Sequence, residues 1–281
     1  MRKTVLSVLA LALISTTTFA QESSSAAAAA QTPQPAPVAA SSDVPKRYAI
    51  TTGFDLTSAY MFRGIRQHSG GAISQPYVDL GLTLGDRATI NVGTWDSFHS
   101  SGPTGTWYES DYYASATFTA GKLKPGVLFT SYTSPADSFR TVHELAGVLA
   151  IDDSASAFPL APKVAVAFEL SDAQADGGAK KGTYLEIGIR PSVKLAERLS
   201  VAIPVKTGLS LKDYYEGPFG SSRFGFFDTG AIASVPVIAG KAGALEIHGG
   251  VDFLWLGDNT KFLNGDDGFR PVGVFGFTFT Y

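Results

Sequence analysis

Apolar and polar residues alternate along most of the chain, in segments of about ten residues separated by turn residues. The last segment, 272–281, is the clearest, because Phe275, Phe277, Phe279 and Tyr281 share one face and small or polar residues share the other. A period of two residues predicts β-strands. A strand face of aromatic residues needs an apolar surface opposite, and lipid around a closed barrel supplies one. The last strand of a soluble sandwich is the alternative.

The number of segments and the lengths of their connections favour the barrel. The pattern predicts about twelve strands, an even number as in single-chain bacterial barrels. Connections after the odd-numbered strands are long and polar, and those after the even-numbered strands are short, except for 152–162. Short turns at one end and long loops at the other are typical of outer-membrane barrels. The sequence therefore predicts an all-β fold, a transmembrane antiparallel up-and-down β-barrel over 47–281, closed by the last strand against the first, 48–63.

The first 46 residues follow a different pattern. Arg2 and Lys3 precede an apolar run, 5–14, which small residues follow. This order predicts a signal peptide over residues 1–20 that directs export, and the run is too short to span a bilayer as a helix. Residues 21–46 are rich in Ala, Ser, Pro and Gln, so we expect a disordered periplasmic linker.

Composition narrows the range of functions. The chain has no cysteine, which excludes disulfides and cysteine-based metal sites. The whole chain carries 22 basic and 25 acidic residues, and removal of the signal peptide takes away two of the basic ones. This acidic balance gives no sign of nucleic-acid binding, which requires a basic face. The expected partners are the lipid bilayer of the outer membrane, the barrel-assembly machinery and small polar solutes.

Many charged residues fall on the inward faces of the predicted strands. Charges in a narrow lumen should pair or contact water, which predicts either an ion-pair network that fills the barrel or a polar conduit favouring cations. Barrels of roughly eight strands are filled by side chains and those of about sixteen or more leave a channel, so both interpretations stay open. The lumen candidates are Asp55, Arg63, Asp79, Arg87, Glu109, Asp111, Glu144, Lys163, Glu169, Glu186, Arg190, Lys206, Asp228, Glu246, His248, Asp252 and Arg270.

One strand combines Glu246, His248 and Asp252 on its inward face. A carboxylate–imidazole group can bind metal or carry out acid–base chemistry, but no second histidine is placed to join it. No Ser–His spacing marks a nucleophile either. We therefore expect no enzyme, metal or cofactor. Of the other histidines, the pattern assigns one to a strand and two to loops: His143, His68 and His99.

Aromatic residues lie near several predicted strand ends. Barrels carry aromatic girdles at both membrane interfaces, although ordinary core packing is the alternative for some of these residues. The girdle candidates are Tyr48, Tyr60, Phe62, Trp95, Tyr108, Tyr112, Trp255 and Tyr281.

The segment 57–67 reads Thr-Ser-Ala-Tyr-Met-Phe-Arg-Gly-Ile-Arg-Gln. It resembles the opening motif of a family of uncharacterised exported proteins described as TorF-like outer-membrane barrels, although Ala59 and Arg66 depart from that motif. Later landmarks of the family resemble Trp95, 109–113 and 132–135. The resemblance implies an outer-membrane barrel and no particular activity. The matching motif residues are Tyr60, Phe62, Arg63, Gly64 and Gln67.

The motif also has a physical interpretation. Gly64 permits a tight turn, and Arg63 can pair with inward carboxylates such as Asp79 or Glu109. The function that we expect first is passage or binding of small polar solutes through a narrow acidic lumen. A plugged barrel with a structural or surface-interaction role is the second candidate, and an outer-membrane hydrolase is the third.

Deletion of Tyr281 is expected to impair membrane insertion far more than it alters any property of the lumen. A terminal aromatic residue, with Phe279 before it, resembles the C-terminal signature that the assembly machinery reads. The measurement is the heat-shifted electrophoretic band of the folded barrel in outer-membrane fractions. Normal insertion of the deletion variant would contradict this assignment.

Overall fold

The computed structural model describes residues 47–102, 105–218, 220–240 and 242–281. They form a closed antiparallel barrel of twelve strands, which confirms the predicted fold. The predicted signal peptide and linker lie outside the described residues. Within these ranges, no helix is long and apolar enough to cross a membrane.

The described chain contains eighteen strands and one short helix. In chain order they are β1 (Tyr48–Thr57), β2 (Tyr60–Phe62), β3 (Ile65–His68), β4 (Ile73–Leu84), β5 (Ala88–His99), β6 (Trp107–Phe118), β7 (Leu123–Thr133), β8 (Val142–Ile151), β9 (Lys163–Glu169), β10 (Thr183–Ile189), β11 (Ser192–Ala196), β12 (Leu199–Ala202), β13 (Val205–Lys212), β14 (Tyr215–Gly217), β15 (Gly220–Ser222), β16 (Phe224–Gly240), β17 (Gly243–Leu256), α1 (Asp258–Leu263) and β18 (Phe269–Thr280).

The barrel strands pair with their neighbours in sequence, and β18 closes the ring against β1 with Phe54 opposite Phe277. Two barrel strands are interrupted. Pro191 separates β10 from β11 and Pro204 separates β12 from β13, because proline has no N–H to donate to a ladder. The hairpins β2–β3 and β14–β15 form separate small sheets in the long loops.

The barrel wall is apolar outside and polar inside. On β4, Val78, Leu80 and Leu82 are 44–46 % exposed, whereas Gln75 and Asp79 on the opposite face are buried. A soluble protein buries its apolar residues and exposes its polar ones. The opposite arrangement here identifies a surface that faces lipid. The chain is therefore a membrane-spanning barrel. We call the end with the long loops the outer end, and the end with the short turns and the C-terminus the inner end.

The first strand is shorter than the sequence pattern indicates. It was expected to reach Arg63, but β1 ends at Thr57, whose hydroxyl donates to the carbonyl of Ala59 at 2.8 Å. The following residues then turn into the lumen, where Tyr60 and Phe62 are almost fully buried. Apolar and polar residues continue to alternate through this bend. The sequence pattern therefore predicts a longer strand than the structure contains.

Four of the eight girdle candidates lie on the outer surface, as a girdle requires. Tyr48, Tyr112, Trp255 and Tyr281 are 39–54 % exposed on the outer surface. The other four face inward, so the girdle prediction is wrong for them. They are Tyr60, Phe62, Trp95 and Tyr108.

Tyr108 reverses its face because the pairing register shifts beside it. The register places Ser97 opposite Glu109 but Phe98 opposite Trp107, so Tyr108 is the extra residue of a β-bulge. A bulge re-aims a side chain without ending the strand. Tyr108 and Glu109 consequently both lie in the lumen and are both buried.

Glycines on the inner face make room for large or charged neighbours. A Cβ at Gly53 would overlap the ring of Tyr77, and one at Gly93 would overlap the ring of Tyr113. Gly276 of β18 lies between Asp55 of β1 and a residue of β17, and a Cβ there would overlap the Asp55 carboxylate and the carbonyl of Phe54. Glycine is therefore needed at these positions because neighbouring atoms leave no room for a Cβ, and not because the backbone needs the flexibility of glycine.

Gly276→Ala is expected to destabilise the folded barrel by about 1–3 kcal/mol, because an added methyl group in a packed interior forces neighbours to move. The matched control is Gly147→Ala, since a Cβ at Gly147 meets nothing within 4 Å. Urea unfolding of the protein in phospholipid vesicles measures both. Equal stabilities for the two variants would rule out the close contact at Gly276.

Candidate functional site: the hairpin in the outer half of the lumen

The hairpin β2–β3 leaves the barrel wall and lies inside the lumen. Its turn residues, Arg63 and Gly64, both have positive φ angles, 48° and 83°, as a type I′ hairpin turn requires. A Cβ at Gly64 would lie 3.0 Å from Cβ of Phe226. Conformation and close contact therefore both favour glycine there, while Arg63 holds a backbone conformation uncommon for residues other than glycine.

The side chain of Arg63 crosses the lumen to Glu144 on β8. Arg63 Nη1 donates to Glu144 Oε2 at 2.6 Å, and Nη2 donates to Oε1 at 2.7 Å. The two side chains are only 4 % and 3 % exposed. The prediction that Arg63 pairs with Asp79 or Glu109 is wrong, because the hairpin turn carries Arg63 across the barrel. A bidentate, charge-assisted pair of this kind is among the strongest polar contacts in proteins.

Aromatic residues surround the guanidinium group. Its central carbon lies 4.0 Å from the ring centroid of Tyr184, and Nη1 donates to the hydroxyl of Tyr214 at 2.8 Å. Burial lowers the pKa of Arg63, but Glu144 and Tyr214 outweigh burial and leave the pKa well above its ordinary value. The hairpin therefore holds a permanent positive charge inside the barrel.

The backbone of the turn is bonded to two other outer loops. Tyr215, at the start of β14, donates its hydroxyl to the carbonyl of Arg63 at 3.0 Å. Asn264, just after α1, donates to the carbonyl of Gly64 at 2.8 Å and accepts the N–H of Arg66 at 2.9 Å. The loop between β1 and β4, the loop between β13 and β16 and the loop between β17 and β18, which are the first, fifth and sixth outer loops, thus meet at the tip of the hairpin.

The limbs of the hairpin contact the wall through aromatic residues. Tyr60 donates its hydroxyl to Glu109 Oε2 at 2.5 Å, and its ring lies 5.3 Å from that of Trp95. Gln67 accepts the hydroxyl of Tyr108 at 2.7 Å, and the ring of Phe62 lies 5.3 Å from that of Tyr132. All five residues of the sequence motif therefore belong to this hairpin and contact its surroundings.

Other acidic lumen candidates near the outer end have distinct settings. Asp111 is buried beside Glu109 on β6. Glu169 accepts the N–H groups of Ala175 and Gly182, at 2.7 and 2.6 Å, and so orders the fourth loop. Glu186 accepts the hydroxyl of Tyr184 at 2.8 Å.

Three further polar pairs lie on the inward faces of the barrel strands. His248 Nε2 lies 2.6 Å from Asp55 Oδ1, Lys206 Nζ lies 3.3 Å from Asp228 Oδ2, and Asn91 donates to Asp79 at 2.6 Å. His248 therefore contacts a carboxylate of the first strand. Among the described residues, no group of three or more His, Cys, Asp or Glu side chains could hold a metal ion.

The remaining residues that were predicted to face the lumen lie in different parts of the barrel. Glu246 and Asp252 are buried on the inward face of β17, and Arg190 is half-buried. Arg87 does not line the lumen, because it is exposed in the turn before β5. Arg270 is bonded to Asp267 at the outer rim.

The two residues of the proposed assembly signal lie at the seam of the barrel. Phe279 is paired with Thr52 of β1. The N–H of Tyr281 donates to the carbonyl of Ile50 at 2.9 Å, and the ring of Tyr281 lies 6.4 Å from that of Tyr48.

Several residues that hold the hairpin were missed at the sequence level. Tyr184, Tyr214, Tyr215 and Asn264 had no assigned role there. The only available signal was the richness in aromatic residues of the fifth loop. Alternation cannot predict which residues of a loop fold back into the lumen.

Solved structures of outer-membrane barrels resemble this fold. An outer-membrane channel from Pseudomonas putida F1 shares 12 % identity over 85 % of this chain and 97 % of its own, with a TM-score of 0.49. The NanC porin shares 8 % over 83 % and 98 %, with a TM-score of 0.47. The translocator domain of the autotransporter NalP from Neisseria meningitidis shares 11 % over 85 % and 89 %, also with 0.47. No family model and no curated protein matches the chain.

Arg63→Met is expected to reduce the free energy of unfolding by about 3–5 kcal/mol, because Glu144 becomes a buried charge without a cation. The double variant Arg63→Met/Glu144→Leu should regain much of this loss. Urea unfolding in vesicles, arranged as a double-mutant cycle, measures the coupling.

The control is Lys180→Met, since Lys180 is 64 % exposed and lies 3.8 Å from Glu216. Its cost should be at most about 1 kcal/mol. Additive losses for the Arg63 and Glu144 variants would contradict the buried pair.

Proposed function

We propose that the chain is an outer-membrane barrel that conducts small polar or cationic solutes when the β2–β3 hairpin moves out of its place in the lumen. The observation that carries this proposal is the hairpin itself, which occupies the outer half of the lumen and is held there by non-covalent contacts alone. The buried Arg63–Glu144 pair is the strongest of these contacts. Export by the predicted signal peptide and the lipid-facing wall support the outer membrane as the location.

The charge of the lumen supports a preference for cations. Asp228, Glu246 and Asp252 are buried carboxylates on the inward faces of β16 and β17, Lys206 is bonded to the first of them, and Arg190 is a cation that acts on the other two. Unbalanced carboxylates in a confined path raise the local concentration of cations and lower that of anions. A barrier that non-covalent contacts hold in place can also be displaced without unfolding the wall.

A permanently plugged barrel with a structural or surface-interaction role is the second candidate. The number of anchors on the hairpin favours it. Tyr215 and Asn264 bind the backbone of the turn, while Glu144 and Glu109 bind its side chains. The two candidates make opposite predictions for electrical conductance.

We expect purified wild-type protein in planar lipid bilayers to be closed most of the time. Glu144→Gln should raise the open fraction by about tenfold or more, because loss of a buried charge pair costs several kcal/mol. Open channels should prefer potassium over chloride, and Asp228→Asn with Asp252→Asn should weaken that preference.

Lys180→Met serves as the matched control and should leave the conductance of the wild type unchanged. All variants are first tested for folding by heat-shifted electrophoresis. Folded protein that passes no current in any variant would contradict the conduit and support the permanently plugged barrel.

A further inference from the structure

Three exposed basic residues lie at the inner end of the barrel, on the side formed by β1 to β7. Arg47 comes directly before β1, Arg87 lies in the turn between β4 and β5, and Lys122 lies in the turn between β6 and β7. All three are exposed. We call this set the basic rim.

Backbone hydrogen bonds fix the spacing of the basic rim. The N–H of Thr83 donates to the carbonyl of Arg47, and the N–H of Thr119 donates to the carbonyl of Arg87, both at 2.7 Å. The sheet order β1, β4, β5, β6, β7 then places Arg47, Arg87 and Lys122 two strands apart from one to the next. Neighbouring strands lie about 4.8 Å apart, so successive members of the basic rim are about 10 Å apart along the wall.

Acidic groups near the basic rim do not neutralise it. Asp86 is exposed beside Arg87. In the turn after β8, Asp152 is bonded to Lys124 at 3.0 Å, and Asp153 accepts two backbone N–H groups of its own turn. No carboxylate of the described residues forms an ion pair with the basic rim. Three positive charges therefore stand against one exposed negative charge on this side of the inner end.

The wall beside the basic rim marks the level of the membrane surface. Tyr48, which follows Arg47, is 47 % exposed, and its ring lies 6.4 Å from that of Tyr281. Outward aromatic residues at strand ends mark the interface between lipid chains and headgroups. Leu84 and Leu123, at the edges of the two turns, are each 46 % exposed on the lipid-facing surface. The basic rim therefore lies at the level of the lipid headgroups.

The spacing of the charges favours a lipid over a dissolved anion. A small anion in water would have to bridge charges about 10 Å apart, whereas each lipid headgroup needs to approach only one. Long basic side chains keep their apolar stems on an apolar surface and place the charged group at its edge. Basic residues at this level attract lipids of net negative charge.

We propose that the basic rim selects anionic phospholipids in the membrane leaflet that surrounds the inner end of the barrel. One headgroup lies at each of Arg47, Arg87 and Lys122, and the lipid chains lie along the outward faces of β4 to β7. This contact is on the outside of the wall, so it goes beyond the proposed conduit and does not depend on conduction.

The test compares the association of two spin-labelled lipids with the protein in phosphatidylcholine vesicles. Electron paramagnetic resonance measures the fraction of spin-labelled phosphatidylglycerol, and of spin-labelled phosphatidylcholine, that the barrel immobilises. The wild type should associate with phosphatidylglycerol about twofold or more strongly, because basic residues at the surface attract its anionic headgroup. This preference should disappear in about 1 M sodium chloride, where the Debye length is only about 3 Å.

The triple variant Arg47→Gln/Arg87→Gln/Lys122→Gln should lose most of the preference. Asp86→Asn should increase it, because that change removes the exposed negative charge beside Arg87. Heat-shifted electrophoresis first establishes that each variant is folded. Asp86→Asn and the salt dependence of the wild type test the proposal even if the triple variant does not fold.

The matched control removes three positive charges from exposed residues of the outer loops, Arg140→Gln/Lys180→Gln/Lys181→Gln, and should keep the preference. Equal association of the two lipids with the wild type would overturn the proposal, as would a preference that the triple variant retains in full. Binding of soluble polyglutamate to the basic rim without any lipid preference would also overturn it, and would assign the rim to an acidic protein segment.

Discussion

The interior of this barrel depends on one buried ion pair. Arg63 and Glu144 face each other across the lumen and are almost fully buried, so each charge is costly without the other. Their contact draws the first loop inward, and Tyr184 of β10 and Tyr214 of the fifth loop pack around the guanidinium group. The outer half of the lumen is consequently a small protein core that is organised by a polar contact.

The wall and this core follow opposite rules. Along the wall, aliphatic residues face outward because lipid is the solvent, and the inner face carries Gly, Ser, Thr, charged residues and several aromatic residues. The hairpin adds Tyr60, Phe62 and Ile65 to that polar interior, where they are buried. The apolar cluster inside this barrel therefore combines loop residues with inward strand residues such as Trp95 and Tyr132.

The sequence predicts the barrel wall well and the contacts of the β2–β3 hairpin poorly, for a physical reason. Strand number, the facing of Asp55 or Val78, and closure of the ring by the last strand all follow from local alternation. The inward position of Tyr60, the bulge at Tyr108 and the pairing of Arg63 with Glu144 depend on contacts between distant segments. The motif at 57–67 marks the correct segment, but only the fold identifies its partners.

The contact between His248 and Asp55 has a consequence for how the barrel is completed. These residues belong to β17 and β1, and Gly276 of β18 leaves the space between them. The contact can form only after the first and last strands have met, so it contributes nothing to an open, partly assembled sheet. The contact therefore stabilises the closed barrel but not its open precursors. It slows reopening between the first and last strands, and it does so from the lumen, which lipid does not reach.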